Sequence, residues 1–141
     1  MALKPMKYKN IKIGARFSFR RAITESAGKN FARLTGDSNP LHLDGRFAGR
    51  SPFGQKLVHG MLAGALFSAL VGKYCPGRSS LYLSQTLNFK RPIFYGDRLT
   101  VVGEVTSKND SLEIITLKTE IFKNHEAVIT GEAKVKVLTD D

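Results

Sequence analysis

The 141-residue sequence predicts an α+β fold in which an antiparallel sheet of about five strands wraps around one long buried helix. Two observations carry that expectation. After Pro76-Gly77 the apolar period changes from 3.6 to 2, and short connections such as Lys123-Asn124-His125 favour antiparallel hairpins. Before that point, Val58–Gly72 is apolar on every face, as suits a helix enclosed by other structure. Its fifteen residues reach only about 22 Å at 1.5 Å each, whereas a bilayer crossing needs about 20 residues. Three glycines and His59 also argue against lipid, so no membrane partner is expected.

The elements follow in chain order. Ala15–Arg21, with Phe17 and Phe19 alternating with polar neighbours, reads as a first short strand. Thr24 suits a helix N-cap and Glu25 its first turn; Ala27, Phe31 and Leu34 fall at i, i+4 and i+7, and Gly36 is placed to end the helix. Ser38-Asn39-Pro40 predicts an ordered, non-helical loop, because the residue before proline is pushed out of the α region. Gly45–Gly49 reads as a short helix and Ser51-Pro52-Phe53-Gly54 as a break. Beyond the apolar helix, Leu81, Leu83, Gln85, Leu87 and Phe89 share one face of a strand, as do Leu99, Val101, Gly103 and Val105 of the next. Lys108–Ser111 reads as a tight turn into Ile115, Leu117, Thr119 and Ile121; Ala127, Ile129, Gly131, Ala133, Val135 and Val137 form the last strand face. One such sheet leaves unpaired edges and cannot enclose the helix, so a homodimer is expected in which two sheets join or pack. Neither repeat nor linker divides the chain, and residues 1–141 read as a single domain.

Composition narrows the class. Hydrophobic residues make up 42% and charged residues 24%, which excludes a disordered chain, and the lone Cys75 excludes an internal disulfide framework. The formal charge of +10 is unevenly placed. Lys4, Lys7, Lys9, Lys12, Arg16, Arg20 and Arg21 precede the first acid, and Gly45–Gly96 holds bases but no acid. That asymmetry points to a polyanionic partner, either nucleic acid or a phosphate-bearing small molecule. The aromatic residues lack the arrangement of a base-stacking platform, so nucleic acid is not expected. Met1–Thr24 has no apolar leader core, and a cytoplasmic location is expected.

Candidate chemistry centres on Thr35-Gly36-Asp37-Ser38-Asn39-Pro40-Leu41-His42, where a stiff proline loop can turn a carboxylate and an imidazole toward one point. Such a pair suits general acid–base work near neutral pH; an Asp that merely caps the next turn beside a surface His is the bland alternative. Gly60 opens the apolar helix, whose unpaired N–H groups could stabilise an oxyanion, and Ser68 lies two turns further along roughly the same face. His59 reads as a partly buried histidine bonded to backbone, or as a support for the neighbouring loop, and His125 as a surface residue. Three scattered histidines make no metal site, no cofactor motif is present, and Cys75 reads as an incidental thiol.

Phe31–His42, with Ala48 six residues after the histidine, resembles the signature of hydratase 2, the MaoC-like family of (R)-specific enoyl-CoA hydratases. The likeness continues through Val58-His59-Gly60-Met61, the apolar helix and Leu81–Phe89, and covers roughly residues 15–137. It implies a hot-dog fold and reversible addition of water to a trans-2-enoyl thioester, giving an (R)-3-hydroxyacyl thioester. By position it implies Asp37 and His42 as the catalytic pair, the Gly60 N–H as the donor that polarises the thioester carbonyl, and Asn39 and Ser68 as supports. An acyl-CoA or acyl-carrier-protein substrate would give the basic stretches a partner, with Arg50, Lys56, Lys90 and Arg91 expected at its phosphates and Val71 along the acyl tunnel. A dehydratase acting on acyl carrier protein and a non-catalytic thioester- or nucleic-acid-binding module are the alternatives.

Overall fold

Period-2 alternation produces the sheet. The computed structural model describes residues 5–138, so Lys4 of the N-terminal basic run lies outside the described residues. Strands β1 (Arg16–Arg21), β2 (Ser80–Gln85), β3 (Asn88–Phe89), β4 (Leu99–Asn109), β5 (Ile114–Lys123) and β6 (Glu126–Val137) form one antiparallel sheet in the order β1-β4-β5-β6-β2, with β3 also on β6. Register pairs Val101 with Ile121 and Ile121 with Ile129, so successive inward side chains stack across three strands. Asn124 and His125, both at positive φ, make the two-residue turn between β5 and β6, and His125 is exposed.

The helices are α1 (Glu25–Thr35), α2 (Pro40–Leu43), α3 (Gly45–Gly49), α4 (Gly60–Gly64) and α5 (Leu66–Ala69), the last continued by a π-helical turn, Leu70–Tyr74. Thr24 caps α1 by accepting the Ala27 N–H, and Gly36 closes it at φ +80. Leu34 departs from its expected place on the packed face and is exposed. α1 instead buries Gly28 and Ala32, with Phe31 beside them partly covered.

The helical run Gly60–Tyr74 lies on the inner face of the sheet, but it is segmented and is not enclosed on all sides. Ala63, Phe67, Leu70 and Val71 are buried against the sheet, and full burial of a side chain such as Phe67 or Leu70 contributes about 1.5–3 kcal/mol. Met61, Ala65, Ser68 and Gly72, spaced four, three and four apart, form an exposed stripe. Gly103 permits this packing, since a Cβ there would lie 2.6 Å from Leu70 Cδ2. Among the described residues, no helix is long and apolar enough to cross a membrane.

Two further departures concern the strands. The expected strand Leu81–Phe89 is interrupted at Thr86-Leu87, and its first part is turned over: Leu81 and Leu83 are exposed and Tyr82 turns inward, whereas Gln85 and Leu87 face inward as expected. A bulge between Tyr82 and Ser84 lets Tyr82 and Gln85, three apart, meet on one side. There Tyr82 donates to Gln85 Oε1, and Gln85 Nε2 donates to the buried Thr119 Oγ1 at 2.9 Å. The turn expected at Lys108–Ser111 falls at Asp110–Glu113, because β4 runs on to Asn109. Lys108 Nζ, donating to the Tyr8 and Ile11 carbonyls at 3.0 and 2.8 Å, ties this end of β4 to the N-terminal segment.

Candidate active site

A chain of short-range caps brings residues 35–44 into shape. Thr35 Oγ1 donates to the Phe31 carbonyl at 2.7 Å and accepts the Asp37 N–H at 3.2 Å, so the end of α1 positions Asp37. Asp37 Oδ1 accepts the Asn39 N–H, and Asn39 Oδ1 accepts the Leu41 N–H at 3.0 Å as the N-cap of α2. The non-helical loop therefore ends at Asn39, and His42 stands on a one-turn helix; Pro40 at its start needs no N–H there.

Tertiary contacts then fix His42. Its Nδ1 lies 2.9 Å from the Leu57 carbonyl, so Nδ1 carries a proton and, in the neutral ring, the lone pair is on Nε2. Tyr95 donates to the His42 carbonyl at 3.0 Å. Gly28 makes room for that hydroxyl, because a Cβ there would lie 2.1 Å from Tyr95 Oη. Burial, and then the charge of Glu25, raises the Tyr95 pKa, keeping the phenol a donor.

His59 completes the cluster. It is 2% exposed, stacks on His42 with ring centroids 4.0 Å apart, and has Phe31 tilted against it at 4.8 Å. Its Nε2 donates to the Asp37 carbonyl at 3.1 Å and lies 3.8 Å from Asp37 Oδ2. The histidines are thus not all scattered: donor atoms of Asp37, His42 and His59 lie within 4.8 Å of one another. Such a donor set could approach a metal ion. The nitrogen that His59 turns toward Asp37 carries a proton donated to the Asp37 carbonyl, however, which favours hydrogen-bond chemistry at this spot.

A cleft of about 460 Å³ opens beside this cluster, lined by His42 and Gly60 together with Phe53, Met61 and Phe89. Asp37 is half-exposed and does not line the cleft, but a carboxylate oxygen lies within 4.8 Å of a ring nitrogen of His42, which does. Gly60 lets the Phe89 ring approach closely, since a Cβ would lie 2.9 Å from it and the ring would have to shift. As the first residue of α4, its N–H belongs to the turn that has no intrahelical acceptor.

The structure brings only some of the other named residues here. Lys90 and Arg91 line the cleft, Arg91 also pairing with Glu126 at 2.7 Å. Lys56 is paired with Glu25 at 3.1 Å, and Arg50 is exposed at the end of α3; neither lines the cleft. Ser68 lies on the exposed stripe of the helix, and Val71 is buried among Ile11, Cys75 and Val105, away from the cleft. Sequence reasoning missed Tyr95 and did not foresee the stacking of His59 on His42. The one available signal was Gly28, a glycine inside a helix that needed a packing reason.

Comparison with known proteins identifies the family of the chain. Residues 8–127 match the family model of the MaoC like domain. The (R)-specific enoyl-CoA hydratase of Aeromonas caviae is 45% identical over 135 residues, covering 94% of this chain and 99% of that protein. The 3-hydroxybutyryl-CoA dehydratase of Methylorubrum extorquens is 36% identical, covering 96% and 86%. Among solved structures, the R-hydratase PhaJ1 of Pseudomonas aeruginosa superposes with a TM-score of 0.92 at 34% identity, covering 98% of this chain and 89% of that one.

Proposed function

The chain belongs to the MaoC-like domain family and has its hot-dog fold, and from that membership we propose that it is an (R)-specific enoyl-CoA hydratase. It adds water reversibly to trans-2-enoyl-CoA to give (R)-3-hydroxyacyl-CoA. The observation that carries this reading is His42: the Leu57 carbonyl accepts from Nδ1, leaving Nε2 as the uncommitted nitrogen of a ring that lines the cleft with Gly60.

The chemistry follows from those positions. Water held by Asp37 and His42 attacks the β-carbon and loses a proton to the pair. The electron pair of the double bond moves toward the thioester oxygen, and that enolate accepts a hydrogen bond from the Gly60 N–H. The pair returns a proton to the α-carbon, so one water is added in all. A donor that strengthens as charge develops lowers the barrier, and losing one such donor costs about 3–4 kcal/mol. Asn39 holds the helix that carries His42, His59 ties that ring to the Asp37 backbone, and Lys90 and Arg91 offer cations to the carrier's phosphates.

Residues 1–141 act as one domain in this reading, and two copies pair. β2 is a sheet edge with Leu81 and Leu83 exposed, and the Met61-Ala65-Ser68-Gly72 stripe is uncovered in one chain. Met61 and Phe89, 60% and 52% exposed, line the cleft, so a second copy over them would roof it. The proposed setting is the cytoplasm, on the sequence reading alone.

The test is crotonyl-CoA hydration by Asp37→Asn and His42→Ala, with circular dichroism and sizing to show folded dimers. Each variant should lose about 10²–10⁴-fold in kcat/KM, the range of one acid–base group. Turnover near the unmodified level in either would remove the assignment. Crotonyl-CoA should also be used with higher kcat/KM than the same acyl group on acyl carrier protein.

A further inference from the structure

The basic run before Glu25 has no role in the cleft, and the fold gives part of it a place of its own. Phe17 and Phe19 pack inward, so Arg16, Ser18 and Arg20 occupy the outer face of β1, away from the helix. On that face β4 presents Thr100, opposite Arg20, and β5 presents Phe122, opposite Thr100. Here lies a groove of about 550 Å³ lined by Arg16, Arg20, Arg98, Thr100, Phe122 and His125. An adjoining depression of about 360 Å³ shares Arg20 and Arg98 and adds Arg21. The His42 cleft, lined by the inward-facing Ile129, lies on the opposite face.

Neighbouring carboxylates leave this charge largely uncompensated. Glu104 pairs with Arg16 at 3.5 Å, Glu120 with Lys118 at 3.5 Å, and Asp97 with Lys123 at 2.7 Å. Among the described residues, no carboxylate lies within ion-pair distance of Arg20 or Arg98. Like charges gathered into a recess disfavour the folded state unless an anion binds between them.

We propose that this outer groove is a second binding site, distinct from the cleft, for a small diphosphate-bearing anion. Guanidinium groups form paired hydrogen bonds with phosphate oxygens, and Arg20 and Arg98 together supply two such forks. The Thr100 hydroxyl adds a neutral donor, and Phe122 gives the floor an apolar patch. A recess of this volume suits a small ligand better than the surface of an acidic helix. The inference does not depend on the hydratase reading.

Calorimetric titration of the full chain with inorganic pyrophosphate at physiological ionic strength tests it. Binding should saturate, exceed that of inorganic phosphate by at least about tenfold, and weaken by at least about tenfold in Arg20→Gln/Arg98→Gln. Arg98→Lys, which keeps the charge but loses the fork, should also weaken it and serves if the double variant misfolds. Crotonyl-CoA hydration should be unchanged in these variants. The proposal is overturned by no saturable binding, equal affinity for phosphate and pyrophosphate, full binding by the variants, or loss of binding in Arg91→Gln instead. Tighter binding of a decaglutamate peptide than of pyrophosphate would make the groove a protein-docking surface and likewise overturn it.

Discussion

The β4–β5–β6 meander and the segment from Gly36 to Gly60 hold their polar groups by opposite means. In the meander, inward positions such as Val101, Ile115, Leu117, Ile121 and Val135 are buried, and the one inward hydroxyl, Thr119, is satisfied by Gln85. Many similar contacts share the load, so no single apolar side chain sets the geometry. In the segment, one-turn helices hang on the caps Asn39 and Asp44, Asp37 stays half-exposed, and buried His59 Nδ1 has no hydrogen-bond partner in the described structure. Each of those side-chain hydrogen bonds is worth about 1 kcal/mol, so the segment keeps its shape through a few specific links. The difference teaches that damage to the meander should read out as stability, and damage to the segment as turnover.

The strongest way to break that contrast lies in the sheet. A Cβ at Gly131 would sit 1.9 Å from the Thr86 carbonyl oxygen, where backbone must move, and Thr86 N–H is itself bonded to the Glu132 carbonyl at 2.9 Å. Gly131→Ala should cost about 3 kcal/mol, at the upper end of overpacking, read from the urea midpoint. An unchanged midpoint would contradict the close approach.

The second test lies in the segment. His59→Leu removes the donor to the Asp37 carbonyl and the partner stacked on His42, and should lower kcat about 10²-fold with KM little changed, the scale of a misplaced catalytic group. His59→Gln, which keeps a donor of similar reach, should recover part of that loss. Equal losses in the two variants would mean that His59 only fills space.

The smallest effect sharpens the comparison from the core. Burial pushes the Cys75 thiol from 9.0 to about 12 and the Tyr82 phenol from 10.0 to about 12. Both folded-state values lie above the unfolded ones, so at alkaline pH the unfolded chain binds fewer protons, and stability falls as pH rises from about 9 toward 12. Cys75→Val should flatten the lower part of that decline in urea melts. The native thiol should resist alkylation at neutral pH, and rapid labelling would place it outside the core.

Much of the scaffold was legible in the chain. Alternation located the late strands, Thr24 and Gly36 marked the ends of α1, and the residues from Phe31 to His42 pointed to the site and the family. Legibility failed where a distant residue overrode a local pattern. Leu34 follows the helical period yet finds nothing to pack on; Leu81 and Leu83 fit a buried face until a bulge and the Tyr82–Gln85–Thr119 network turn the strand over. Charge alone could not sort cations: Lys90 and Arg91 reach the cleft, Lys56 is spent on Glu25, and Arg20 and Arg98 gather on the far face.

The order of residues by itself determined which segments become strands or helices, because period, caps and glycines act within a few positions. It also set an acid and a base five positions apart. Only the assembled molecule decided which nitrogen of His42 is free, since that depends on the Leu57 carbonyl fifteen residues away. It alone stacked His59 on that ring and placed Phe89 over Gly60. Hydrogen bonds and ring contacts between distant segments are formed by packing, and local propensity carries no record of them.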